Sequence, residues 1–109
     1  MAEIQYNEQT QTQVAEISSP KVQQLEDSVG VAPGSEITFT SATQTIEVFN
    51  THATQSLYLY LQTSYGGSYN TAKRTLRPGS SYAISARQSK IKLVGSGALT
   101  TYEIVALLE

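Results

Sequence analysis

A chain of 109 residues holds one domain and is too short for a second that builds its own core. Only 15% of the residues are charged and the formal net charge is −2, so the surface is polar but weakly charged, and the composition is globular rather than disordered. The absence of Cys excludes a disulfide framework, thiolate chemistry and Cys-held zinc or iron–sulfur sites.

The start, Met1-Ala-Glu-Ile-Gln-Tyr, has neither a basic n-region nor an apolar h-region, so no signal peptide is expected and the chain is read as made in the cytosol. The longest apolar run, Ile104–Leu108, is far below the roughly 18–20 residues of a membrane-spanning helix. Residues 1–34 read as a Gln- and Glu-rich arm whose apolar residues are too sparse to hold either period for long. Inside it, Ser19 as N-cap, Pro20 at the first helical position and Val22, Leu25 and Val29 at helical spacing predict a short helix over about 20–28, stopped by Gly30. So short a helix does not stand alone in water and must dock on its own domain or on a neighbour. Ile4, Tyr6, Val14, Ile17, Val22, Leu25 and Val29 are therefore the candidate inter-subunit contacts of the arm.

From residue 35 to 109 the pattern alternates. Ile37 and Phe39, Ile46 and Val48, Leu57, Leu59 and Leu61, Tyr82 and Ile84, Ile91 and Leu93, and Ile104 to Leu108 sit in strand-length runs broken by Pro-Gly, Gly-Gly and Gly-Ser-Gly. That predicts an all-β protein, a small antiparallel β-sandwich or jelly-roll-like domain of six to eight strands. Pro33-Gly34-Ser35 with Ile37, Phe39, Ile46, Val48, Leu57 and Leu59 matches Pro78-Gly79-Ser80 with Tyr82, Ile84, Ile91, Leu93, Tyr102 and Ile104, each pair 45 residues apart. The domain then reads as two three-stranded halves, 33–61 and 78–108, each opened by a Pro-Gly pair suited to a type II turn. Between them Tyr65-Gly66-Gly67-Ser68-Tyr69 makes an exposed loop, with Thr71–Leu76 as a further edge strand. Tyr65 and Tyr69 are its candidate contacts.

No catalytic set emerges. The single His52 has no sequence partner for general-base work and reads as a loop histidine; no HExxH, no Gly-x-Ser-x-Gly elbow, no phosphate-binding glycine loop and no dinucleotide fingerprint occurs. Gly95-Ser96-Gly97 is a plain turn, and Glu26-Asp27, the only adjacent acids, read as a solvated face. No catalytic residue, metal site or cofactor is expected, and the chain is read as a non-enzyme.

Charge is segregated along the chain. Residues 1–47 carry seven acids and one base, whereas residues 48–102 carry six bases, Lys73, Arg74, Arg77, Arg87, Lys90 and Lys92, and no acid. These six form the candidate basic contact face. The net negative charge and the missing aromatic RNA-binding signature argue against nucleic acid. Complementary acidic and basic parts of two copies use both halves of the asymmetry. Tyr58 and Tyr60 alternate with Leu57, Leu59 and Leu61, so both faces of that strand are covered; exposed tyrosines on a sheet also suit stacking on sugars.

The arm, Leu76-Arg77-Pro78-Gly79-Ser80-Ser81-Tyr82 leading into a strand, Lys90-Ile91-Lys92-Leu93-Val94-Gly95, and the closing Tyr102-Glu103-Ile104-Val105-Ala106-Leu107-Leu108 together resemble the small accessory structural proteins of tailed-phage virions. The resemblance spans most of residues 31–109 and lies in layout rather than in a diagnostic motif. It implies a head-decoration or cement protein, head-fibre base or small tail component, located in the virion. Its implied partners are further copies, a trimer being favoured, and other virion proteins such as the major capsid protein. A host-surface glycan-binding sandwich is the alternative reading.

Overall fold

The structure, a computed structural model, describes residues 21–109. It contains eight strands: β1 (Lys21–Val29), β2 (Ser35–Thr38), β3 (Thr43–Asn50), β4 (Leu57–Tyr60), β5 (Arg74–Leu76), β6 (Ser81–Ile84), β7 (Lys90–Gly95) and β8 (Thr100–Leu108). They form two four-stranded antiparallel sheets, sheet A in the order β1-β8-β3-β6 and sheet B in the order β2-β7-β4-β5. This interleaving, in which the chain changes sheet at every connection except β4–β5, is the eight-stranded jelly roll.

Period-2 burial drives it. Along β8 every even residue from Thr100 to Leu108 is buried and none of the odd ones is, and Leu57 and Leu59 of β4 are buried where Tyr58 and Tyr60 are not. Ile46, Val48, Leu57, Leu59, Ile91, Leu93, Ile104 and Ala106 are at most 1% exposed and fill the space between the sheets. Each such side chain contributes about 1.5–3 kcal/mol on leaving water, the force that sets register, because a one-residue slip would turn the whole row outward.

The predicted helix over about 20–28 is a strand instead. Lys21–Val29 pairs with β8 along its whole length, from Lys21 opposite Leu108 to Val29 opposite Thr100. The helical spacing of Val22, Leu25 and Val29 concealed a strand pattern: Leu25 and Val29 share the inward face, while Val22 points outward and is 56% exposed. A two-turn helix gains little in water, whereas the edge of β8 supplies nine residues of backbone partners. Lys21–Val29, the end of what reads as an arm, is therefore a strand of the β-domain. Leu25 and Val29, expected at an inter-subunit contact, pack on this domain's own core. Ile4, Tyr6, Val14 and Ile17 lie outside the described residues.

The 45-residue offset is structural. Val48 lies opposite Ile104 and its counterpart Leu93 opposite Leu59; Glu47 opposite Val105 and Lys92 opposite Tyr60; Phe49 opposite Glu103 and Val94 opposite Tyr58. In strand order sheet A, read as β1-β8-β3-β6, maps onto sheet B, read as β5-β4-β7-β2; the offset of 45 holds in the central pairs, and the outer strands sit in shifted register, Tyr82 opposite Val48 but Ser35 opposite Leu93. Residues touching their own counterparts mark the axis of this pseudo-two-fold: the Gln88 N–H donates to Thr43 Oγ1 at 2.8 Å at one end, and the Gln55 and Thr100 side chains meet at the other. The two opening turns differ. The second is type II as expected, with Ser80 N–H donating to Arg77 O at 3.0 Å and Gly79 at φ 78°. The first is set one residue earlier, Gly34 N–H donating to Val31 O at 3.0 Å around a cis Ala32–Pro33 bond.

Candidate assembly faces

The antiparallel register decides which side chains leave each outer face. From sheet A, β1 sends out Val22, Gln24 and Glu26, β8 sends out Glu103, Val105 and Leu107, and β3 sends out Glu47 and Phe49. Three carboxylates and an apolar stripe therefore share one surface. No lysine or arginine occupies an outward position of these strands among the described residues. Glu26 and Glu103 stand directly opposite each other, and Gln24 Nε2 donates to Glu103 Oε2 at 2.9 Å. Like charges paired across strands are locally unfavourable, so this acidity is maintained against a folding cost.

Sheet B presents the reverse. β4 sends out Tyr58 and Tyr60, β7 sends out Lys90 and Lys92, and β2 sends out Glu36 opposite Lys92. Tyr69, from the hairpin that closes back on Gln62, joins them. Lys73 Nζ lies 4.0 Å from the Tyr58 ring centre, and Lys92 Nζ lies 4.7 Å from that of Tyr60 and 5.4 Å from that of Tyr69. Tyr69 Oη donates to Glu36 Oε2 at 3.1 Å, and Lys90 Nζ pairs with the same oxygen at 3.3 Å. The bond from Tyr69 and the nearby Lys90 hold the Glu36 carboxyl below the usual carboxylate range. Burial first, then the Glu36 bond, push the Tyr69 hydroxyl far above its ordinary value, so it stays a donor. The result is a lattice of tyrosine rings and ammonium groups around one carboxylate.

The six candidate bases divide accordingly. Lys73, Lys90 and Lys92 belong to this face. Arg74 leaves it and lies 5.1 Å over the Tyr82 ring at the β5–β6 flank. Arg87 lies 4.2 Å over Tyr65 and bonds Glu109 at 2.8 Å, and Arg77 is exposed in the turn before β6. Tyr65 and Tyr69, expected to act together from one loop, are thereby sent to different partners. Sequence reasoning missed Tyr58, Tyr60 and Glu36 as parts of one surface with the lysines; alternation exposed Tyr58 and Tyr60, but nothing local reveals that β2, β4 and β7 are neighbours. The acidic outer face was equally hidden, although the unbroken Ile104–Leu108 run already placed apolar residues on both sides of β8.

The polar groups inside the domain are structural. Asn50, 1% exposed, donates through Nδ2 to Gln55 O at 2.8 Å and Leu76 O at 2.9 Å, and its Oδ1 accepts from His52 N–H at 3.0 Å. His52 Nδ1 in turn accepts the N–H groups of Thr54 and Gln55 at 3.1 and 3.0 Å. With Nδ1 engaged by two backbone donors, His52 closes a turn. Gln62 and Gln88 tie the opposite end, Gln88 Oε1 accepting from Gln62 N–H at 2.6 Å and Gln62 Oε1 from Ser89 N–H at 2.8 Å. Among the described residues no three His, Cys, Asp or Glu side chains gather as a metal site, and no helix is long and apolar enough to cross a membrane. No family model, curated protein or solved structure matches the chain.

Proposed function

We propose that this chain is a non-enzymatic structural protein of a virion, of the head-decoration or accessory kind, that works by associating through the two outer faces of its sandwich. One observation carries the reading: an acidic face with an exposed Val22 and half-buried Phe49, Val105 and Leu107 lies back to back with a face of tyrosines and lysines. Such surfaces are complementary to one another, so a second copy is a partner for either. The contact joins unlike faces and is heterologous; because the faces are opposed, it extends a stack rather than closing the trimer that the virion resemblance implies. One face can equally seat on a shell subunit such as the major capsid protein and leave the other for the next copy. Jelly rolls recur in capsid and lectin domains alike, so the fold by itself does not choose between them.

The test is the mass of the full chain by light scattering across concentration and salt. Association that weakens with salt, and that Lys90→Glu with Lys92→Glu abolishes, carries the reading; a salt-independent monomer at all concentrations removes it. A second reading has its own observation, the rings of Tyr58, Tyr60 and Tyr69 close together among lysines, which suits stacking on an acidic glycan. A glycan array read with the parent chain and with Tyr58→Ala/Tyr60→Ala separates it from self-association.

A further inference from the structure

The pseudo-two-fold relates the two flanks of the sandwich, one bounded by β1 and β2 and the other by β5 and β6. On the first flank Leu25 stands opposite Ile104 and packs against the core. The counterpart of Ile104 is Leu59, and the residue opposite Leu59 is Arg74. Arginine thus stands where the other flank has leucine. A guanidinium is not buried unpaired among aliphatic side chains, and here it turns over the Tyr82 ring instead. The chain beside it also leaves the sheet, since Thr71–Lys73 separate the Gln62–Tyr69 bridge from β5. What remains is a cavity of about 410 Å³ walled by Leu59, Leu61, Tyr82 and Ile84 and rimmed by Lys73 and Arg74.

β6, which forms one wall, is a four-residue edge strand with no further strand beside it among the described residues. Its outward N–H and C=O groups are positioned to pair with an extended segment, which would direct alternate side chains into the cavity. The chain contains a segment of matching chemistry. Residues 1–20 carry three acids, Glu3, Glu8 and Glu16, and no base, and twice place an acid beside an isoleucine, in Ala2-Glu3-Ile4 and Ala15-Glu16-Ile17. Reach is sufficient. Lys21 pairs with Leu108 at the same end of the sandwich as Ile84, whose partner Ile46 pairs with Ala106. A segment beside β6 lies four strand spacings from β1, roughly 19 Å. An extended chain covers that in about six residues, so Ile17, four residues from Lys21, stays short of the cavity, whereas Ile4, seventeen residues from Lys21, reaches it.

We infer that the β5–β6 cavity is the docking site of the chain's own N-terminal segment, with Ile4 in the cavity and the neighbouring Glu3 at the Lys73–Arg74 rim. The inference is independent of stacking through the outer faces.

The experiment places a photo-crosslinking amino acid at Ala72, an exposed residue of the cavity wall, in the full-length chain. The expected product joins position 72 to a peptide within residues 1–20. Its mass, of one chain or two, shows whether the segment comes from the same copy or a neighbour, and either carries the inference. The product should fall at least several-fold in Arg74→Glu and return when Glu3→Lys is added. Arg74→Leu, which restores the residue of the other flank, should suppress it without loss of the far-UV circular dichroism spectrum. Capture of other residues only, no capture, or capture indifferent to both Arg74 variants overturns it. Light scattering on the same samples separates the two readings: a monomer that shows the cross-link retains the docking site and loses the assembly reading, and an oligomer without it does the reverse.

Discussion

The pseudo-symmetry makes Gly34 and Gly79 a matched pair for one stability experiment. Each follows a proline, and each holds a left-handed backbone, φ 76° and 78°. Alanine at either costs about 1–2 kcal/mol for that conformation alone. Their surroundings differ. A Cβ on Gly79 meets nothing within 4 Å, whereas one on Gly34 would overlap the Leu93 carbonyl oxygen and come within 2.7 Å of Val94 Cγ2. Leu93 is wholly buried in the central strand β7, so its carbonyl cannot move without disturbing the pairing with β2 and β4. Overpacking adds about 1–3 kcal/mol, giving about 2–5 kcal/mol for Gly34→Ala against about 1–2 for Gly79→Ala. Urea unfolding followed by far-UV circular dichroism measures both, and the gap corresponds to a melting-temperature difference of at least roughly 4 °C for a domain of this size. Equal losses, or a larger loss at Gly79, would refute the packing account of the first turn.

Four further outcomes follow from the same structure. Asn50→Ala leaves the carbonyls of Gln55 and Leu76 and the His52 N–H without their partner, and should cost about 2–4 kcal/mol in chemical denaturation, more than any exposed Asn or Gln. Arg74→Leu should raise stability by about 1 kcal/mol by adding apolar contact at the β5–β6 flank, read as a higher urea midpoint at unchanged slope. In an ultraviolet titration Tyr69 should keep its proton well past the ordinary tyrosine range; because its folded pKa is raised, its contribution is present below about pH 10 and lost as pH rises beyond. Glu36 is the opposite case: its folded pKa is depressed, so the Tyr69–Glu36–Lys90 contact holds above about pH 4.5 and is lost as pH falls, visible as a carboxyl titration displaced to acid in NMR and restored toward normal by Tyr69→Phe.

Burial pattern was legible because it is local. Leu57 and Leu59 against Tyr58 and Tyr60, or Ile91 and Leu93 against Lys90 and Lys92, state in the sequence which side of each strand is dry. The 45-residue spacing was legible for the same reason, since turns and strands recur at a fixed interval whether or not the halves touch. Strand β1 was not, because its outcome depends on β8, whose partner edge lies more than 70 residues away and is invisible to a window of nine. Leu25 and Val29 suit a helix by spacing and a strand by parity, and the vacant edge of β8 decides between them.

The same division holds for function. The sequence alone determined a cysteine-free, weakly charged β-domain with its acids early and its bases late. Interleaving the strands into two sheets decided what that asymmetry means in space. β1, β3 and β8 carry Glu26, Glu47 and Glu103 to one outer face, while β4 and β7 bring Tyr58, Tyr60, Lys90 and Lys92 together on the other. Side-chain parity belongs to each strand, whereas adjacency belongs to the sheet, and long-range backbone pairing is what converts one into the other.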